Sequence, residues 1–121
     1  MSLHVISRTA GPAWAVGKGA FEQPGVGDHA AFMDMLANEG WVLFAGPLDG
    51  TETGRIRALV IADAADEREV HQRLAADPWA RSGHLVVTSI QSWNPIVGAD
   101  RLVAVSGGAR SGTRVLPGSP S

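Results

Sequence analysis

The sequence predicts an α+β fold with the element order β-α-β-β-α-β. Three observations point there. Four short segments read as strands, two segments between them carry helical apolar stripes, and glycine or proline separates nearly every pair. The chain has 121 residues and 12.6 kDa, which suits one domain.

Each element has its own justification. Residues 3–8 (Leu-His-Val-Ile-Ser-Arg) are β-rich, with Leu3 and Val5 on one face and His4 and Ile6 on the other. Gly11-Pro12 ends this strand. Residues 9–27 then hold Gly11, Gly17, Gly19, Gly25 and Gly27 with Pro12 and Pro24. A stretch of this length is functional or mobile in compact domains. Carrying Trp14, Lys18 and Phe21, it reads equally as a segment closing over a site and as a loose connector.

A helix is expected over 28–39, with Asp28 as N-cap and an apolar stripe of Phe32, Met33 and Leu36. His29 shares that stripe. Gly40 stands where a left-handed residue ends helices. Trp41 to Ala45 is continuously apolar and reads as a strand buried on both faces. Gly46-Pro47-Leu48-Asp49-Gly50 is a turn. Residues 55–62 form the third strand. A second helix is expected over 64–76, with capping-box spacing at Asp63/Asp66 or Asp66/Glu69 and Val70 and Leu74 inward. Asp77-Pro78 should end it. Residues 83–93 read as the fourth strand and 101–105 as a short edge strand. The domain is therefore taken as 1–105, and the Gly-, Ser- and Pro-rich residues 106–121 as a disordered tail.

This order is the ferredoxin-like split arrangement: an antiparallel sheet, first and third strands central, two helices on one face. The other sheet face then has no cover from this chain. The second and third strands look apolar on both sides, and monomers rarely expose such a patch. A homodimer packed sheet on sheet is the expected solution. The same topology brings His29, the 46–50 turn, Asp77 and the 9–27 segment to one rim.

Composition limits the functional classes. The formal charge is −2, with no basic excess to attract nucleic acid. There is no cysteine, which excludes thiolate catalysis and cysteine zinc sites. The longest apolar runs, Trp41 to Ala45 and Ala58 to Ala62, fall far short of the about 20 residues that span a bilayer. With no signal-peptide pattern, a cytoplasmic protein without membrane partners is expected. His4, His29, His71 and His84 form no His-x-His or His-Glu-x-x-His pattern, so no metal is expected. No glycine-rich nucleotide motif or Ser nucleophile motif occurs either, and no cofactor is assigned.

The motifs together carry a resemblance. His-Ala-Ala-Phe-Met-x-x-Leu, then Phe-Ala-Gly-Pro-Leu-x-Gly, then Ala-x-Asp-Pro-Trp and a last strand ending in Trp resemble the YCII-related family of the dimeric α+β barrel superfamily. The resemblance covers about residues 3–97. It implies a His–Asp pair, which falls on His29 and Asp77. One branch of the family is associated with halide elimination from an aromatic substrate. The wider superfamily includes isomerases and monooxygenases acting on small cyclic compounds, often without a cofactor.

The expected function is general acid–base chemistry of isomerase or lyase type on a small cyclic or aromatic compound. His29 would transfer the proton, since imidazole titrates near neutrality. Asp77 would orient and charge it, although a helix C-terminus disfavours the negative charge expected there. Gly46 and Pro47 would shape the ligand turn, Asp49 would approach the ligand from it, and Trp14 and Phe21 would touch an aromatic ring. Trp41 and Trp79 read as core. The alternative is a non-catalytic binding or interaction module whose His–Asp pair only ties two helix ends together. A cavity against the His29 ring favours the first reading, and a sealed pair the second.

Overall fold

The computed structural model describes residues 1–102, and its main elements follow in chain order. They are β1 (Leu3–Ala10), α1 (Val26–Asn38), β2 (Val42–Pro47), β3 (Arg57–Asp63), α2 (Glu67–Leu74), α3 (Pro78–Arg81) and β4 (Leu85–Trp93). The strands form one antiparallel sheet in the order β2-β3-β1-β4, with the first and third strands central as expected.

Alternation along β1 builds the sheet's helix-facing side. From His4 onward its residues alternate buried and half-buried, so His4, Ile6, Arg8 and Ala10 share one face. Register places Ala62 beside His4, Val60 beside Ile6 and Ala58 beside Arg8. Leu36 of α1 and Val70 and Leu74 of α2 pack on this face with Ile6, Val60 and Ala62. Both helices therefore cover the same side. A second core, at the Ala10 end of β1, joins Ala10, Trp14, Ala20, Ile56, Trp79 and Leu85.

The segment after β1 is neither a loose connector nor a cover over a cavity. Gln23, 2 % exposed, binds it from within: its Oε1 accepts from the Ala15 N–H, and its Nε2 donates to the carbonyls of Ala15 and Lys18. Trp14 then enters the second core and donates its indole N–H to the Gly54 carbonyl, 3.1 Å away.

Several boundaries differ from expectation, each for a local reason. Helix α1 starts at Val26, capped by Gly25 in a left-handed conformation (φ 79°), so Asp28 lies inside the first turn. Gly40 ends that helix with φ 81°. Helix α2 starts at Glu67 because the Asp66 carboxylate caps the Glu69 N–H at 2.9 Å, and its last helical residue is Leu74. The expected C-terminal aspartate is instead the N-cap of a separate turn: the Asp77 side chain accepts from the Trp79 N–H at the start of α3. Its charge thus meets a helix N-terminus, the favourable end. Arg101 and Leu102 are helical rather than part of an edge strand. The rest of that expected strand and the 106–121 tail lie outside the described residues.

Among the described residues, no helix covers the far side of the sheet. Strand β2 was expected buried on both faces, yet Phe44 is 51 % exposed. Register aligns it with Ile61, Ile61 with Val5, and Leu3 with Trp93, all on that face. No helix among the described residues is long and apolar enough to cross a membrane.

Candidate active site

Asp77 is fully buried and holds three donors. Its Oδ1 accepts the Trp79 N–H at 2.9 Å. Its Oδ2 accepts Arg8 Nη2 at 2.8 Å, and the His29 Nδ1 lies 2.8 Å from the same oxygen and 2.9 Å from Oδ1. Burial alone would raise its pKa. The hydrogen bond to His29, the Arg8 charge and the Trp79 N–H outweigh burial, and the carboxyl lies below the ordinary carboxylate range. The group is therefore an anion at neutral pH. As an acceptor only, it fixes Nδ1 as the protonated ring nitrogen facing it.

Four parts of the chain converge here. His29 comes from the first turn of α1, where its N–H makes a 3.0 Å bond to the Gly25 carbonyl. Arg8 comes from the helix-facing side of β1, at a bulge. Ser7 pairs with Ser89 of β4 but Arg8 pairs with Val87, so Thr88 is the extra residue. The bulge therefore lies in β4 and leaves the alternation of β1 and its register with β3 unbroken. Asp77 is the N-cap of α3 and Trp79 lies in its first turn. The Trp79 indole lies nearly parallel to the His29 ring and donates its N–H to the Pro24 carbonyl at 2.8 Å. Trp14 meets Trp79 edge to face, centroids 5.5 Å apart.

Beside His29 is a cavity of about 150 Å³. A hydrocarbon-lined cavity of about this size holds benzene. Its polar wall is Arg8 and His29, and its apolar wall includes Met33, Ile56, Val60 and Leu85. Arg8 is 2 % and His29 18 % exposed, so the imidazole is the accessible member of the triad. With Nδ1 turned to Asp77, Nε2 is the nitrogen left to exchange a proton with a ligand. No group of three or more His, Asp or Glu side chains able to hold a metal ion occurs among the described residues.

The expected site residues divide. His29 and Asp77 meet, and Gly46 and Pro47 line the cavity from the end of β2. Asp49 is exposed in the following turn and does not line it. Phe21, 83 % exposed in a short 3₁₀ turn, does not line it either. Trp14 supports Trp79 from the second core instead of facing a ligand. No residue between 9 and 27 lines the cavity, so the expected cover from that segment is replaced by Met33 and the end of β2. Arg8 escaped the sequence reading, and Trp79 entered it only as core. The signal for Arg8 was present: it is in phase with His4 and Ile6, and a charge on a core-facing strand position calls for a buried partner.

The family model described as YCII-related domain matches residues 5–94. No curated protein matches the chain. Among solved structures, the chain is similar to 5-chloro-2-hydroxyhydroquinone dehydrochlorinase from Burkholderia phenoliruptrix in complex with 2,5-dihydroxybenzoquinone. The TM-score is 0.59 and the identity 22 %, over 76 % of this chain and 93 % of that one. At this identity the likeness is one of fold.

Proposed function

This chain belongs to the YCII-related family, and on that premise we propose that it catalyses acid–base chemistry on a small cyclic or aromatic compound. The reaction is of isomerase or lyase type. His29 Nε2 takes a proton from the ring or its hydroxyl. The proton then returns at another atom, or an anion leaves from the ring. Either course is redox-neutral. Asp77 holds the imidazole by Nδ1 and stabilises the imidazolium once Nε2 is protonated.

The carrying observation is the 2.8 Å contact between His29 Nδ1 and the fully buried Asp77, made by a ring on the wall of a largely apolar cavity. A sealed pair without a cavity would have favoured a non-catalytic binding module. The neighbour's named reaction, dehydrochlorination of a chlorinated hydroxyhydroquinone, supports the lyase form of this reading. Gly46 and Pro47 are proposed as ligand contacts. A second copy of the chain is proposed to cover the open sheet face around Phe44 and Ile61.

The test is turnover of halogenated and non-halogenated hydroxyhydroquinones, followed by ultraviolet absorbance and free halide. General acid–base groups contribute typically about 10²–10⁴-fold, so His29→Ala should lose about that much of kcat with its fold intact. Turnover equal to wild type in that variant would refute the assignment.

A further inference from the structure

The guanidinium of Arg8 is more than Asp77 needs. It is 2 % exposed and stands on the cavity wall, yet among the described residues only Nη2 has a strong acceptor, Asp77 Oδ2. Nη1 has the Met33 sulfur at 3.8 Å, a weak acceptor, and Nε has no partner among the described residues. Arginine carries five N–H donors in a fixed fork, and buried donors are ordinarily satisfied. Asp77 meanwhile serves three donors at once.

Charge counting adds an independent reason. Arg8 and Asp77 cancel while His29 is neutral. Once His29 holds a proton, the cluster of two cations and one buried carboxylate carries a net positive charge. The ligand that gave up that proton carries the matching negative charge, in the same cavity.

We propose that Arg8 is the oxyanion-binding group of this cavity: its guanidinium takes a ligand oxygen, the one on which negative charge collects when the ring loses a proton. The ligand class is then a planar ring bearing a hydroxyl or oxo group, rather than any small apolar ring. Against a largely apolar wall, a fixed cation stabilises that charge without reorganisation. Nη2 stays on Asp77 Oδ2, so one residue couples the ligand oxygen to the carboxylate that holds His29. The oxygen-binding half of the proposal stands on the cavity alone. The timing of the charge rests on the acid–base reading of His29.

The two halves separate experimentally. Binding of 4-nitrophenol and of 4-nitroanisole is measured by calorimetry at a pH where the free phenol is partly ionised. The ionised fraction of the bound phenol is read from its absorbance. A charge-assisted hydrogen bond is worth about tenfold or more in affinity. Wild type should therefore bind the phenolate at least about tenfold more tightly than the methyl ether and shift the bound phenol toward its ionised form. Arg8→Gln should abolish both effects and Arg8→Lys should retain part of them. His29→Ala, which tests the catalytic reading, should keep most of the discrimination. Equal binding of phenol and ether by wild type, or binding of neither, overturns the proposal without any Arg8 variant having to fold. Discrimination that survives in a folded Arg8→Gln overturns it equally.

Discussion

The His29 imidazole lies flat on the Trp79 indole, with ring centroids 4.2 Å apart and planes 12° from parallel. Two residues of one turn thus control the histidine. Asp77 binds its edge, and Trp79, two positions later, supports its face. The Trp79 N–H in turn donates to Asp77, so carboxylate and platform are set by the same short helix start. The ring has little freedom to rotate, and its accessible nitrogen keeps one direction.

Replacement of the platform should therefore cost both stability and activity. Trp79 is 2 % exposed and fills the second core. Trp79→Ala should destabilise the fold by about 3–5 kcal/mol in urea denaturation. Trp79→Phe keeps a stacking face but loses the indole bond to Pro24, and should cost less while lowering kcat. A Trp79→Phe variant with unchanged kcat would show that the stacking does not orient His29.

Asp77 makes stability depend on acid pH. Its folded pKa lies below its unfolded one, so its contribution is complete above the ordinary carboxylate value of about 3.9. It is lost as pH falls through the folded value. Asp77→Asn leaves the buried Arg8 charge without its counterion and should destabilise by about 3–5 kcal/mol at pH 7. The gap between wild type and variant should narrow below about pH 4. Denaturant titrations at several pH values measure it, and a gap constant down to pH 2 would contradict the assignment.

Covering of the open sheet face predicts the mass in solution. Light scattering at micromolar concentration should give about twice 12.6 kDa. Phe44→Glu and Ile61→Lys place charges on that face and should yield monomers or poorly soluble chains. A stable, well-behaved wild-type monomer would remove the dimer.

The segment after β1 is held largely by one side chain. Gln23→Ala removes three hydrogen bonds from a buried position and leaves backbone groups of Ala15 and Lys18 unpaired. A loss of about 2–3 kcal/mol is expected. The ligand cavity contains no residue of this segment, so affinity for 4-nitrophenol should change little. A larger effect on binding than on stability would mean the segment does reach the ligand.

Local pattern determined the elements of this protein. Alternation and helical stripes are short-range properties, and the four strands, the two main helices and the left-handed Gly40 follow from them. So does the inference that β1 and β3 are central, because the order of elements restricts the topology. Motif resemblance paired His29 with Asp77 across the sequence. Tertiary structure alone decided what surrounds that pair. Asp77 looks like a helix end in sequence, because the break after Leu74 and the new start at Pro78 are only a few residues apart. It becomes an N-cap once α3 turns away. Arg8 reaches the helix-facing side through the alternation of β1, but only the packing of α3 sets Asp77 against it. Trp14 and Phe21 are both aromatic residues in a glycine-rich segment. Only packing sends the first into the second core and leaves the second in solvent. Sequence spacing records which side chains share an element's face, whereas a site assembled from four separate segments depends on how those faces meet.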